Sequence, residues 1–520
     1  MNNNTSKIVL ATANAKYAHS AFALKYLMAN LGEFQSRAAI FEFTINDRPV
    51  DAVEKLLFNN PDVIAFSVYI WNAEFLFSTA KLIKQIAPHI TLVCGGPEVS
   101  YPEDSSPLSE VCDATICGEG EVAFYNLLCD LEKGIKPQKF IQAQPVNLEK
   151  IRLPYYLYSH HEIEHKIIYV ETSRGCAFKC EFCISSLDKK VRHFKTSLVL
   201  DAFQELWNRG ARKFKFIDRT IHLSNAKEIL QFFLEKLNSE TSDEDSALFL
   251  HFEIVPSNIS EKLIEILAKF PNGVVQLEAG IQSFNSEVLQ NISRKQDIGI
   301  SKENIRLLLN NTGVHLHSDL IAGLPGESFD SFANSFNQLY SLGVDEIQVG
   351  VLKLLRGAPI KRHTEGHRMV YKTEPSYDVL QNDLISFMDM QRIKRFARYF
   401  DLVFNNGNFK KSVIFIWHNT TPFDGFMKFS DWLFKKTNQT SNIALVRLGD
   451  LIFEYLTAEI KIAKEVAADT MVDDFKNSGQ RRLPVIVRDY ATVDTDINKK
   501  SLTLNKLPKR QKKHIGENSL

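Results

Sequence analysis

Apolar and polar positions change period along this chain, and the changes divide it. Over residues 1–145, five short runs rich in β-branched and aromatic residues read as strands: KIVLATAN, AIFEFTI, DVIAFSVYIW, ITLVCGG and DATICGEGE. Helical patterns lie between the first four. Apolar strands separated by helices predict a doubly wound α/β sheet, with ligands expected where strands end. Residues 146–166, containing NLEKIRLPYYLYSHHEIEHK, read as a linker from their prolines and mixed polarity, with solvated histidines. From 167 to 365 the alternation resumes: IIYVETS (167–173), KFKFID (213–218), LFLHFEIV (248–255), GVVQLEAGIQS (273–283), VHLHSDLIAGLPGE (314–327) and VDEIQVGVLKLL (344–355). Six βαβ units predict a partial (β/α)6 TIM barrel whose chemistry lies at the C-terminal ends of its strands. From 366 to 496 apolar residues recur at helical spacing, which predicts a mostly helical C-terminal domain that covers the barrel mouth or contacts substrate, with its aromatics in the core. Residues 497–520 are polar and basic and are expected to be flexible when alone.

Composition narrows the class. A chain of 520 residues is too long for one core. Its 62 Lys and Arg balance 62 Asp and Glu, so no global field draws in nucleic acid or membrane, and any polyanion site must be a local patch. No apolar run approaches the roughly 18 residues of a membrane helix. The apolar stretch near the start is too short for a signal peptide and has no basic cluster before it. The expectation is a cytoplasmic protein with reduced thiols, and seven cysteines, an odd number, argue against a disulfide framework.

Three of those cysteines fall in RGCAFKCEFC, residues 174–183. Structural zinc normally takes four ligands in paired knuckles, and no second knuckle is visible. Three thiolates on one loop suit a [4Fe-4S] cluster with one iron left open. Cys94, Cys112, Cys117 and Cys129 lack close spacing and read as small buried residues.

Cys176, Cys180 and Cys183, with Phe182 before the last of them, resemble the signature of the radical S-adenosylmethionine (SAM) superfamily. The resemblance implies that the open iron chelates SAM and that one electron, from an external donor, cleaves a C–S bond to give a 5′-deoxyadenosyl radical. It also implies SAM contacts at the strand ends. Asp218 and Arg219 would meet the methionyl amino group. Glu278 and Gln282 would hold the ribose or carboxylate. Gly323 and Leu324, in GLPGE, would let backbone approach adenine. Glu253 is a weaker candidate. Each has a plainer alternative, as a surface turn, a helix cap or a structural carboxylate.

The first region has no G-x-G-x-x-G, which argues against an ordinary dinucleotide site. Its loops resemble the cobalamin-binding domain that often precedes a radical SAM barrel. Ser67, followed by Tyr69, Trp71 and Asn72, sits where a hydroxyl meets the cobalamin tail. Gly95, Gly96, Pro97 and Glu98 form a loop where side chains would block that tail. Gly118, Glu119, Gly120 and Glu121 complete the pattern. The usual D-x-H-x-x-G is missing. The first loop instead offers Asn14, Tyr17 and His19, and the expected reading is cobalamin with no histidine below the metal. The resemblance therefore implies a cobalamin-dependent radical SAM enzyme, most commonly a methyltransferase that alkylates an unactivated carbon through methylcobalamin. The alternatives are a radical rearrangement or cyclisation without methyl transfer, and a non-catalytic cobalamin-binding regulatory module. Lys499, Lys500, Lys506, Lys509, Arg510, Lys512 and Lys513 form a local basic excess that makes tRNA a candidate partner. No membrane partner is expected.

Overall fold

In this computed structural model, residues 7–188, 190–221, 223–239, 248–477 and 482–496 are described. The basic residues from Lys499 to Lys513 lie outside them. The chain divides into two compact units. One holds residues up to Arg219 with Lys353–Lys361 and Lys372–Asp378. The other holds Thr220–Leu352, Arg362–Tyr371 and the chain from Val379 onward.

The first unit opens on six strands, β1 (Ile8–Asn14), β2 (Ala38–Thr44), β3 (Val63–Ser67), β4 (Thr91–Gly95), β5 (Ala114–Cys117) and β6 (Phe140–Gln142). They form one sheet in the order β2-β1-β3-β4-β5-β6, parallel at every pairing. Alternate residues of the same strands feed two separate cores. Val9, Ala11, Ile64 and Phe66 lie in one, and Ile8, Leu10, Val63 and Ala65 in the other. That explains the continuous apolar runs: both faces of the sheet are covered by helices. The strand order reverses between β1 and β3, so their C-terminal loops flank the crevice where such sheets bind ligands. The sixth strand was not legible, because FIQ is too short to show a period.

Residues 146–166 are a packed bridge. Tyr155 and Tyr158 are buried. The short helix His160–His165 starts on a capping box between Ser159 and Glu162. Glu162 also pairs with Lys25 at 2.9 Å, and Lys166 with Glu42 at 3.0 Å. His160, His161 and His165 face solvent.

The second sheet takes β7 (Ile168–Val170), then, after the two-residue strands β8 (Ser173–Arg174) and β9 (Arg192–His193), β10 (Lys213–Phe216), β11 (Phe249–Ile254), β12 (Val275–Gln282), β13 (His315–Ala322) and β14 (Glu346–Val351). Its order is β14-β13-β12-β11-β10-β7, an open run of parallel strands that matches the six expected units of a partial barrel. A small antiparallel ribbon, β15 (Val370–Tyr371) with β16 (Val379–Gln381), follows. The remainder is helical: Phe387–Phe400, Pro422–Thr437, Leu445–Glu454, Lys464–Asn477 and Val485–Tyr490. The first two of these helices dock on the barrel helix Phe329–Ser341 through aromatic rings. Phe336 meets Phe396, Phe400 and Phe423 at centroid distances of 4.9, 5.1 and 5.8 Å. Phe396, Phe400, Phe409, Phe423, Phe426 and Phe429 are core, as their helical spacing predicts, while Phe387 is exposed.

Candidate functional site

The cysteine loop is closed at its base by the antiparallel pair β8–β9, which sets Ser173 opposite His193 and Arg174 opposite Arg192. Two arginines facing each other repel. Carboxylates from the loop after β5 resolve the conflict. Arg174 pairs with Glu121 at 2.7 Å, with Glu171 at 2.9 Å and with Glu119 at 3.7 Å. Arg192 donates to both oxygens of Glu119. Burial pulls the Glu119 carboxyl up, but Arg192 and then Arg174 hold it below its ordinary value. The guanidinium of Arg174 also lies 4.8 Å from the Tyr26 ring centroid. Glu119 and Glu121, which the sequence offers as cobalamin contacts, tie the cysteine loop to the segment after β5.

Within the loop, Cys180 is buried and Cys176 and Cys183 are partly exposed; all are free thiols. Burial, with the nearby thiols of Cys183 and Cys180, pushes the Cys176 thiol up. Phe182 is partly buried. Asp218 is buried and already saturated. It accepts from the Thr172 amide at 3.0 Å, the Thr172 hydroxyl at 2.7 Å and the Ser173 hydroxyl at 2.6 Å. Its side chain anchors the entry to the cysteine loop. Arg219 is exposed.

The loops at the β1/β3 crevice divide between fold and surface. Asn72 is fully buried. Its amide donates to Thr12, to the Ala13 carbonyl and to the Ser67 carbonyl, and its oxygen accepts from the Tyr69 amide. It knots β1 to β3 and is not free for a ligand. Ser67 is buried beside Tyr69, whose ring stacks on Trp71 at 4.4 Å. Trp71 and Tyr17 are large rings with 48% and 61% of their surface open to solvent. Asn14 donates to the His19 carbonyl and to Glu42. His19 Nδ1 lies 2.6 Å from the Tyr169 hydroxyl, and burial, then Lys215, Lys16 and Lys166, lower its pKa. In the loop after β4, Gly96 has φ +112°, and a Cβ there would lie 2.5 Å from the Val68 carbonyl oxygen. The fold itself requires this glycine, whatever else approaches it. Gly95 is different: a Cβ would meet Ile116 at an ordinary 3.4 Å. Pro97 and Gly118 are exposed, and a Cβ at Gly120 would lie 3.0 Å from the Leu27 side chain. Glu98 is buried. Cys94, Cys112 and Cys117 are buried as expected, but Cys129 is partly exposed.

In the second unit, Glu278 pairs with His251 at 3.2 Å. Gln282 ends β12 at a register shift, with φ +71°. It is buried, and its amide oxygen has no hydrogen-bond partner among the described residues. Glu253 is aligned with Glu278 across β11 and β12 and is partly exposed. Gly323 has φ +85°, and a Cβ there would lie 2.5 Å from Val379 and 2.9 Å from Met390, so the fold itself requires a glycine at this turn. Leu324 is fully buried.

Three family profiles match: a B12 binding domain over residues 8–128, the radical SAM superfamily over 170–339, and a family described as protein of unknown function (DUF4080) over 365–516. The chain joins a B12 binding domain to a radical SAM domain. It is 25% identical over 349 residues to the cobalamin-dependent radical SAM methyltransferase TokK of Streptomyces tokunonensis, covering 61% of this chain and 50% of that one. It is 26% identical over 365 residues to the 2-(S-pantetheinyl)-carbapenam-3-carboxylate methyltransferase of Streptantibioticus cattleyicolor, covering 60% and 50%. The chain therefore spans about half the length of these curated relatives. A solved structure of the cobalamin-dependent SAM radical enzyme OxsB with aqua-cobalamin bound superposes with a TM-score of 0.60 at 13% identity, over 91% of this chain and 79% of that one. At that identity the likeness is one of fold.

The residues of both domains fit such cofactors. In the radical SAM domain the donor set is three soft thiols. Among the described residues no group of three His, Cys, Asp or Glu side chains, these thiols included, is already drawn together around a single point. The orphaned amide oxygen of Gln282 lacks the donor that a ligand hydroxyl would supply. In the B12 binding domain, Trp71 and Tyr17 leave aromatic surface open beside the β1/β3 crevice. Sequence reasoning missed the arginines. Arg174 and Arg192 lie two and nine positions from the nearest cysteine, but Glu121 and Glu119, which they grip, lie more than fifty residues away in sequence, and only the tertiary fold brings them together. It also missed a polar row inside β13 and β14. His317 lies 3.2 Å from Asp319, and His315 lies 2.9 Å from Glu346. Burial disfavours charge on His317, but Asp319, then Glu346 and Glu278, outweigh it and raise its pKa. The alternation H-x-H-x-D in HLHSD was the available signal, since residues two apart share a strand face.

Proposed function

We propose that this chain is a cobalamin-dependent radical SAM methyltransferase acting on an unactivated carbon. The observation that carries the reading is the pair of arginines joining the cysteine loop to the loop after β5, because it fixes a three-thiol cluster loop to the ligand edge of a B12 binding domain. When bound, the cluster with SAM supplies a carbon-centred radical and cobalamin supplies a methyl group, chemistry that no side chain provides.

The chain's own residues hold and shield. Cys176, Cys180 and Cys183 hold iron, and Phe182 screens the last thiolate. Arg174 and Arg192 orient the loop, and Asp218 anchors its entry. Trp71, Tyr69, Ser67 and Gly95 line the cobalamin side. Gln282, with Glu278 and Glu253, offers polar contacts to SAM. In this reading residues 1–145 are the cobalamin domain, 167–365 the radical SAM domain and 366–496 the helical domain. Excluding water and oxygen is the protein's remaining task. No helix among the described residues is long and apolar enough to cross a membrane. Free thiols support a reducing, cytoplasmic setting and an external one-electron donor. The seven basic residues between Lys499 and Lys513 support RNA as one substrate class.

The test is anaerobic incubation of reconstituted protein with cobalamin, reductant and SAM carrying a deuterated methyl group, together with candidate RNA and metabolite pools. Deuteromethyl transfer to carbon supports the reading. Abundant 5′-deoxyadenosine with substrate isomerised or cyclised, and no label in any product, replaces it with rearrangement chemistry.

A further inference from the structure

The segments Lys353–Lys361 and Lys372–Asp378 belong to the first unit although they follow β14 in sequence. They are laced together by the antiparallel bridge Lys353–Asp378 and by the Leu354 amide donating to the Tyr377 carbonyl at 3.0 Å. Arg356 carries most of their contacts. Its Nε donates to Glu98 Oε1 at 3.0 Å, and its Nη1 donates to Asp104 Oδ1 at 3.1 Å and to the Asp104 and Ser105 carbonyls at 2.8 and 3.1 Å. The Tyr377 hydroxyl donates to the same Glu98 oxygen at 2.5 Å and accepts from Arg356 Nη2 at 3.1 Å. Glu98 is the last residue of the loop after β4, and its side chain is only 3% exposed. Next to Arg356, a Cβ at Gly357 would lie 2.3 Å from the Tyr101 ring, so strap and loop are in full contact there. Four residues further on, the Ile360 amide donates to the Glu181 carbonyl at 2.9 Å. Glu181 lies between Cys180 and Cys183. One strap therefore grips the loop after β4 with side chains and the cysteine loop with backbone.

We propose that this strap is a spacer between the two cofactor loops, in which Arg356 and Tyr377 are positioning residues that act through Glu98. The proposal rests on the cofactor reading given above. Its physical basis is that a buried carboxylate held by a guanidinium and a phenol has one low-energy place: removing the guanidinium leaves its charge buried without compensation, and removing the phenol takes away one hydrogen bond. Glu98, offered by the sequence as a cobalamin contact, is the handle by which the loop is held.

The experiment compares anaerobically reconstituted full-length protein with Arg356→Met, Arg356→Lys and Tyr377→Phe. Backbone hydrogen exchange is read on residues 95–101 and 176–186. The distance between the cluster and cob(II)alamin is read by pulsed electron paramagnetic resonance. In Arg356→Met, both loops should exchange at least about tenfold faster, the low end for losing a buried charged hydrogen bond. The cobalt–cluster distance distribution should broaden while iron and cobalamin contents stay at wild-type levels. Arg356→Lys should recover part of the protection, and Tyr377→Phe, which loses one hydroxyl, should fall between. Faster exchange confined to the strap, with both loops and the distance unchanged, overturns the proposal. So does wild-type behaviour of Tyr377→Phe if Arg356→Met loses protection throughout the unit. If wild-type protein takes up no cobalamin, the methyltransferase reading fails, and hydrogen exchange alone still decides whether the strap couples the two loops.

Discussion

Gly96→Ala and Gly95→Ala should separate a glycine the fold requires from one a ligand requires. At Gly96 the backbone has φ +112°, and a methyl group would lie 2.5 Å from the Val68 carbonyl oxygen and 3.0 Å from its nitrogen. Those are backbone atoms, so relief means moving the chain. Two hydrogen bonds hold it there: the Val68 amide to the Gly95 carbonyl at 2.8 Å, and the Glu98 amide to the Val68 carbonyl at 3.4 Å. The strained dihedral costs about 1–3 kcal/mol. Weakening one or two backbone hydrogen bonds adds about 0.5–1.5 kcal/mol each. A loss near 3 kcal/mol lowers the melting temperature of a unit of this size by about 6–12 °C. Gly95→Ala meets only ordinary contacts and should change stability by less than about 0.5 kcal/mol. The assay is thermal unfolding of both variants without cofactors, followed by cobalamin titration. The expected pattern is that Gly96→Ala is destabilised before any cofactor is added, whereas Gly95→Ala unfolds like wild type but binds cobalamin more weakly. Equal stability of the two cofactor-free variants would refute the reasoning.

The remaining predictions address acid–base chemistry, cobalt and the tail. Glu327 is fully buried, accepts from the Ser283 hydroxyl at 2.6 Å, and has its pKa pushed up to about 8 by burial. Its folded-state value lies above the unfolded one, so its contribution is intact below the ordinary carboxylate range and is lost as pH rises from there through about 8, by up to about 5 kcal/mol. Glu327→Gln should flatten that decline in urea unfolding measured at several pH values, and parallel pH profiles would count against it. His19 is tied to Tyr169 through Nδ1, so cob(II)alamin bound to this protein should show the same electron paramagnetic resonance spectrum in wild type and His19→Ala; nitrogen splitting that vanishes in the variant contradicts this. Deleting residues 497–520 should flatten a log–log salt slope of about −3 for RNA binding if about four of the basic residues meet phosphates, and an unchanged slope removes the tail from the account.

Strand periodicity carried the fold. Both sheets were legible because β1, β3 and β4 are continuous apolar runs and β11 to β14 alternate with helices of ordinary length. Elements of two or three residues, such as β6 and the β8–β9 pair, carry no period, and they were missed. The cysteine loop was legible because its three thiols are local in sequence. The carboxylates were legible as polar residues at strand ends but not as to purpose. Glu98, Glu119 and Asp218 stand out in the sequence as ligand groups, and their partners Arg356, Arg192 and the Thr172–Ser173 pair come to them only through tertiary structure. Asn72 shows the same effect with no charge involved, since its partners lie on two strands. Gly96 stood out in the sequence as a place where a side chain would block a ligand, and the structure adds that the chain's own backbone, at 2.5 Å, excludes a side chain there.

The central claim is that Cys176, Cys180 and Cys183 hold a cluster that acts on SAM beside a cobalamin-binding domain. The most direct measurement is 5′-deoxyadenosine formation by anaerobically reconstituted protein with SAM and a strong reductant, set against Cys180→Ala, with iron, sulfide and cobalamin quantified in both. The account predicts SAM cleavage in the wild type, and loss of both iron and cleavage in the variant with cobalamin retained. Deoxyadenosine formation at wild-type rate by Cys180→Ala, or an iron-loaded wild type that leaves SAM intact, would contradict it.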